Sequence, residues 1–134
     1  MLFQTAPPAP ENGVLPPDDK GFVYYSKENY HAGFCADLPV EESDFMFASQ
    51  GAFAAKAFIT PISNPAWRNK PTYGIVATED KSINPDIQRR TYKRSNSQVT
   101  EIKGSHVVFM SQPEKVAEVI IEAAHAVSVD EVLA

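Results

Sequence analysis

Cysteine is almost absent from this chain, and so are the features of a membrane or secreted protein. With a single cysteine, Cys35, the chain cannot form an internal disulfide, which fits a reducing compartment, so we expect a cytoplasmic location. No apolar stretch reaches the ~18 residues that a membrane span requires. The first ten residues, MLFQTAPPAP, have neither the basic region nor the long apolar region of a signal peptide. We therefore predict no membrane partner.

Positive charge is also scarce. The chain has 12 Lys and Arg against 17 Asp and Glu, a net charge of −5, whereas nucleic acids and anionic membranes require clustered basic residues. Arg89, Arg90, Lys93 and Arg94 do cluster, but at helical spacing, which favours a solvated helix face. We predict no nucleic-acid partner. A length of 134 residues with 43% hydrophobic residues fits one globular domain with a core.

Composition divides the chain into three zones. Residues 1–20, called the arm below, hold five of the eleven prolines, and because proline fixes φ and lacks a donor we predict an irregular or extended segment. Residues 21–66 are rich in aromatic and small residues and predict short helices. The first begins after Ser26, Pro39 interrupts the pattern, a second begins at Glu41, and the AFAAKAF segment adds one or two turns.

Residues 67–134 predict two parallel βα units. Residues 72–78 are apolar on both faces, as a buried parallel strand requires. Asn84, Pro85 and Asp86 predict the start of a helix that runs to about Arg94. A second strand is predicted at residues 98–102. The capping-box spacing at residues 111–114 then predicts a last helix, with apolar positions at Val116, Val119, Ile120 and Ala123.

Two polar turns follow the predicted strands and carry the candidate chemistry. Asp80 is the second residue of an acidic pair at the end of the first strand, and His106 comes after the second strand, in a Gly-Ser-His turn. This is the layout of two members of a nucleophile–His–acid triad in the order Ser…Asp…His. The third member, a serine in a Gly-x-Ser-x-Gly turn, does not occur in this sequence. Taken singly, Asp80 could belong to an ordinary polar turn, and His106 could be an ordinary loop histidine.

Another pair is also conceivable. His31 and Cys35 lie four residues apart and would share a helix face, as a Cys-His nucleophile pair or two metal ligands would. A small buried core cysteine is the simpler interpretation.

From Gly21 to the last helix the chain resembles the C-terminal part of the α/β-hydrolase superfamily, in the branch of plant methylesterases, hydroxynitrile lyases and their bacterial relatives. The downstream residues that carry the resemblance are the Ala-Trp-Arg-x-x-Pro segment at 66–71, the ATEDKSI turn at 77–83, Pro85, Gln88 and Arg89, and Ser105, His106 and Pro113. The upstream motifs FCADLP at 34–39 and ASQ at 48–50 look like the cap over that branch's active site.

The resemblance implies a partial α/β-hydrolase fold, of class α/β, without its N-terminal strands. The arm would be residues 1–20, the helical cap-like segment residues 21–66, and the C-terminal βαβα part residues 67–134. Asp80 would be the triad acid and His106 the general base, acting on a small ester with no metal and no organic cofactor. Hydroxynitrile lyases carry a catalytic Lys after the His, and Val107 stands there instead, which favours ester hydrolysis.

Because the nucleophile and several strands are missing, we expect the chain alone to be inactive. An N-terminal half would have to complete the ester site. We also expect a homo-oligomer or a partner chain to cover the open strand edge, since an unpaired apolar edge is a template for pairing. The alternatives are a non-enzymatic fragment or interaction module and, with less support, a small independent βα binding domain.

Overall fold

The computed structural model describes the backbone of residues 6–133 and the side chains of residues 6–128. Its C-terminal part is a strand–helix–strand unit followed by two helices. β3 (Tyr73–Ala77) and β4 (Gln98–Ile102) form a parallel two-stranded sheet, paired from Tyr73 opposite Gln98 to Ala77 opposite Ile102. The crossover between them is α3 (Pro85–Arg94). The predicted α/β class, as a partial fold, is confirmed.

Local sequence accounts for this unit. Val76 and Ala77 are almost fully buried, as expected for the apolar strand. The Asn84 side chain accepts from the Asp86 N–H at 2.9 Å, and Pro85 occupies the first turn, where its missing N–H costs nothing. After α3, Asn96 takes a left-handed conformation with φ of 53°, which lets the chain reverse into β4.

The basic cluster lies on α3, as predicted. Arg89 bonds the Glu101 carboxylate on β4 at 2.7 and 2.9 Å and the Asp86 carboxylate at 2.8 Å. All three side chains are at least two-fifths exposed. The arrangement is that of a solvated helix face.

The segment 21–66 is only partly helical, and here the prediction needs correction. α1 (Lys27–Phe34) and α2 (Val40–Ala48) are present. Two short strands, β1 (Phe22–Val23) and β2 (Phe53–Ala54), pair antiparallel with each other. The two helices lie between these strands in the sequence. The AFAAKAF segment therefore begins as strand, because long-range backbone pairing outweighs the helix propensity of alanine, and it then forms a helical turn, as predicted, in the 3₁₀ helix Ala55–Phe58.

The described part of the arm, residues 6–20, contains no helix and lies against the rest of the chain. Val14 forms an isolated antiparallel bridge with Tyr25. The Asn12 amide donates to the Ser82 carbonyl at 2.7 Å, and the Asn84 amide donates to the Pro7 carbonyl at 3.3 Å. This described part is irregular, as predicted, and it packs on the turn that follows β3. Residues 1–5 of the predicted arm lie outside the described residues.

Two small cores meet at the segment after β4. One contains Tyr25, Tyr30, Cys35 and Leu38 from the cap-like segment together with Val107. The other contains Ala77, Ile102 and Val108 from the sheet side. Since Val107 and Val108 are consecutive, each belonging to a different core, the residue before them, His106, lies where the two cores join.

The last helices are α4 (Val108–Ser111) and α5 (Pro113–Leu133). Of the predicted apolar positions on α5, Val116 packs on the sheet-side core, but Ile120 is 61% exposed. The last helix begins at Pro113, as the capping-box spacing at residues 111–114 predicted, although the Ser111 hydroxyl donates to Asp37 at 2.7 Å. Within the described residues, no helix combines the length and the apolar character needed to cross a membrane.

Candidate active site

The parallel sheet brings the two polar turns together. Beyond the strand ends the ladder continues, with the Thr78 N–H donating to Ile102 at 2.9 Å and the Glu79 N–H donating to Gly104 at 3.1 Å. The carboxyl ends of β3 and β4 therefore lie side by side, and each is followed by one of the predicted site residues. Asp80 and His106 face each other across this edge.

Asp80 is buried, with 4% of its surface exposed, and its carboxylate accepts four hydrogen bonds. Oδ1 accepts from the N–H groups of Ser82 and Ile83, both at 2.8 Å. Oδ2 accepts from the Gln88 amide at 2.8 Å and faces the His106 ring. Every partner is a donor, so the local turn and α3 together hold an ionised carboxylate in one orientation.

The ring of His106 is bonded to Asp80 on one side and open on the other. Nδ1 lies 2.8 Å from Asp80 Oδ2, and because a carboxylate only accepts, Nδ1 is the donor. Nε2 has no hydrogen-bond partner among the described residues, and the side chain is 29% exposed. The Phe34 ring of α1 packs against the imidazole at 4.8 Å between centroids. In its neutral form this ring offers the Nε2 lone pair as a base.

The contact between Asp80 and His106 that the strand order predicted is present, and their catalytic roles stay a prediction. Within the described residues no serine, threonine or cysteine is bonded to His106 Nε2. Ser105, the nearest serine along the chain, donates its hydroxyl to Asp37 instead. The geometry thus contains an oriented Asp–His pair with no nucleophile beside it among the described residues.

Asp37 is the residue of this region that the sequence analysis missed. Its Oδ2 accepts from the Ser105 N–H at 2.9 Å and the Ser111 hydroxyl at 2.7 Å, and its Oδ1 accepts from the Ser105 hydroxyl. Partial burial acts to raise the pKa of the Asp37 carboxyl, but these bonds outweigh it and the pKa is lowered. The only signal in the sequence was an acidic residue inside the otherwise apolar FCADLP segment.

His31 and Cys35 do not form a reactive pair. The His31 Nε2 donates to the Leu38 carbonyl at 2.9 Å. The Cys35 thiol is fully buried, and desolvation raises its pKa, so the thiolate needed for nucleophilic attack is disfavoured. The simpler interpretation, a core cysteine, matches this environment. Among the described side chains, no group of three or more His, Cys, Asp or Glu is placed to hold a metal ion.

An apolar cavity of about 420 Å³ lies on the other side of the Asp80 turn. The arm, Phe58 and Ile87 line it together with Ser82, Ile83 and Asn84. His106 is not among the lining residues. Asp80 is not among them either, so the turn after Asp80 borders the cavity but the Asp80–His106 pair does not.

Comparison with known protein families gives a match. The model of the alpha/beta hydrolase family matches residues 2–119, which is most of the chain. The match extends upstream of Gly21 into the arm. A search of curated proteins returns no match.

Proposed function

This chain belongs to the alpha/beta hydrolase family, and from that premise we propose that it supplies the acid and the base of a Ser-His-Asp triad for the hydrolysis of carboxylic esters. Asp80 is the acid and His106 the general base. The observation that supports this most is the 2.8 Å bond between Asp80 Oδ2 and His106 Nδ1, with Nε2 left open. We also propose a cytoplasmic location, which the single cysteine of the chain, free and buried, supports.

The proposed chemistry follows from this orientation. His106 Nε2 takes the proton of a serine hydroxyl as the serine oxygen attacks the ester carbonyl, and Asp80 stabilises the imidazolium that forms. The imidazolium then gives its proton to the leaving alcohol. Water, activated in the same way, releases the acid from the acyl-enzyme. The serine and the oxyanion-hole donors belong to a segment of polypeptide that this sequence does not include, whether upstream in the same protein or in a second chain.

Within the family, we propose a methylesterase-like activity on small esters. The position after His106, which holds the catalytic Lys in hydroxynitrile lyases, is Val107 here. Its side chain is 1% exposed and packs among Tyr25, Tyr30 and Leu38. An apolar side chain in an apolar core has no means of assisting cyanohydrin cleavage, which supports ester hydrolysis.

We further propose that the chain works as part of an assembly. In the described residues β3 has one hydrogen-bonded neighbour, β4, and the residues Tyr73, Ile75 and Ala77 turn their N–H groups away from it. A two-stranded sheet is marginal by itself, and an open edge of an apolar strand accepts another strand. An N-terminal half or a second copy would cover this edge. The same feature supports the rival function, a non-enzymatic module that completes a partner's sheet.

Sedimentation distinguishes an assembly of this chain, with a second copy or with an N-terminal half, from a monomer. We expect a dimer, a higher oligomer or a stable complex with the upstream polypeptide at micromolar concentration. A monomer that unfolds cooperatively at that concentration would contradict the assembly proposal.

The catalytic proposal is tested by expressing the chain alone and together with the polypeptide encoded immediately upstream. Alone, the chain should hydrolyse p-nitrophenyl acetate no faster than a denatured control and should not be labelled by a fluorophosphonate. The joint preparation should be active, and His106→Ala should abolish that activity. His125→Ala, at an exposed position on α5, is the matched control and should leave it unchanged. Labelling of the chain alone, or activity in His106→Ala, would overturn the proposal.

The upstream sequence gives an independent check. The proposal requires a Gly-x-Ser-x-Gly element there or in a neighbouring chain, because a serine on a strand-to-helix turn is the partner that this acid–base order lacks. If neither the upstream sequence nor a neighbouring chain encodes one, the hydrolase function fails and the interaction module takes its place.

A further inference from the structure

The carboxylate of Asp37 accepts three hydrogen bonds from residues on both sides of His106 in the sequence. Ser105, directly before it, gives Asp37 both its N–H and its hydroxyl, and Ser111, five residues after it, gives its hydroxyl. These contacts span 68 and 74 positions along the chain. They connect the cap-like segment to the turn that carries the base.

Asp37 is itself held in place. The His31 Nε2 donates to the carbonyl of Leu38, the next residue, and the Leu38 side chain is buried in the cap-side core. Cys35, two residues earlier, is fully buried in the same core. The carboxylate is therefore presented to Ser105 from a segment anchored on both sides.

The partner turn is shaped for this approach. A Cβ at Gly104 would lie 3.0 Å from Asp37 Oδ2 and 2.6 Å from a methyl group of Val108. Only glycine leaves room for the carboxylate and the sheet-side core at the same time. Ser105 is 4% exposed, and the Asp37 carboxylate is the acceptor that satisfies its N–H.

We infer that Asp37 is a positioning residue that sets the orientation of His106 toward Asp80 and thereby couples the cap-like segment to the general base. The inference rests on the proposed function for its catalytic meaning, since a base is useful only where a nucleophile meets it. Its structural content stands alone: the Gly104–Ser105 backbone, and with it the His106 ring, is held by Asp37. Removing that carboxylate lets the turn move while the sheet remains.

The test uses nitrogen NMR of the chain labelled at histidine, recorded where the imidazole is neutral. In the wild-type chain His106 should show a protonated Nδ1, with its proton shifted downfield by the Asp80 carboxylate. Asp37→Ala should lose this signature in a chain that is still folded. Asp37→Asn should retain most of it, because the amide oxygen accepts from the Ser105 N–H and the amide nitrogen donates to the Ser105 hydroxyl. Asp44→Ala, an exposed carboxylate of α2, is the matched control.

In the active joint preparation, Asp37→Ala should lower kcat on the order of 10²-fold, as small misplacements of catalytic groups do, with KM changed far less. If Asp37→Ala fails to fold, Ser105→Ala and Ser111→Ala each remove one of the bonds and should weaken the His106 signature in part. An unchanged signature in folded Asp37→Ala, or in both serine variants, would overturn the inference. Loss of the signature without any esterase activity in the joint preparation would overturn the proposed function and leave the positioning role intact.

Discussion

Replacing Asp80 with Asn removes the negative charge at the centre of the candidate site while keeping its shape. The amide oxygen can still accept from the N–H groups of Ser82 and Ile83, which lie 2.8 Å from Oδ1. The amide nitrogen then points its hydrogens at the Gln88 amide and at the His106 Nδ1–H, both donors 2.8 Å from Oδ2. Two donors facing each other cannot bond.

His106 has a way to respond, whereas Gln88 has none. The imidazole can move its proton to Nε2 and accept with Nδ1. The Gln88 amide cannot rotate in the same way, because its nitrogen also donates to the Ile83 carbonyl at 2.9 Å. Rotation of the amide would place the Gln88 side-chain oxygen against the Ile83 carbonyl oxygen. One hydrogen bond to a charged group is lost outright, and such a bond contributes about 1.5–3 kcal/mol. We expect Asp80→Asn to lower the free energy of unfolding by about this amount.

The two consequences are measured on the same sample. Urea unfolding gives the loss of stability, and histidine nitrogen spectra give the tautomer, which should change from Nδ1–H to Nε2–H. In the joint preparation kcat should fall by about 10⁴, as it does for this substitution in the Ser-His-Asp template. The exposed Asp44→Asn, which loses only an ion pair with Lys27, should cost about 0–1 kcal/mol. An unchanged tautomer in a folded Asp80→Asn chain would refute the reasoning.

Three further predictions follow from single side chains. Gly74→Ala should cost about 1–3 kcal/mol in urea unfolding, because its Cβ would lie 2.6 Å from the Tyr92 ring, whereas Gly51→Ala, with no atom within 4 Å, should not destabilise. The pKa of Asp37 is lowered on folding, so the Asp37 carboxylate stabilises the folded chain above the ordinary pKa of 3.8, and this stabilisation is lost as pH falls through the folded pKa. The difference in free energy of unfolding between wild type and Asp37→Ala should therefore shrink in acid. A constant difference would contradict this. Cys35 is fully buried and should react with Ellman's reagent only as the chain unfolds, so rapid labelling of the folded chain would be inconsistent with its placement.

The βαβ unit and the acid–base contact were predictable because their signals are local. The strand at Tyr73–Ala77 is apolar throughout, Asn84 caps the helix that follows, and the turns with Asp80 and His106 come directly after strands. Parallel strands joined by a helix place their carboxyl ends at the same edge. Two side chains far apart in sequence were therefore expected to meet once their strands were recognised.

Tertiary structure alone decided how the cap-like segment is built and which residues it contacts. The pairing of Phe22–Val23 with Phe53–Ala54 is made by backbone hydrogen bonds that any residue can form. The alanine-rich AFAAKAF segment therefore predicted helical turns and gave no sign of the strand at its start. The exposure of Ile120 depends on which surfaces are available to cover α5. Its spacing in the sequence predicted only that it would share a helix face with Val116 and Ala123. Asp37 became recognisable only when folding brought Ser105 and Ser111 to its carboxylate, since a hydrogen bond across 68 positions leaves no pattern in a single sequence.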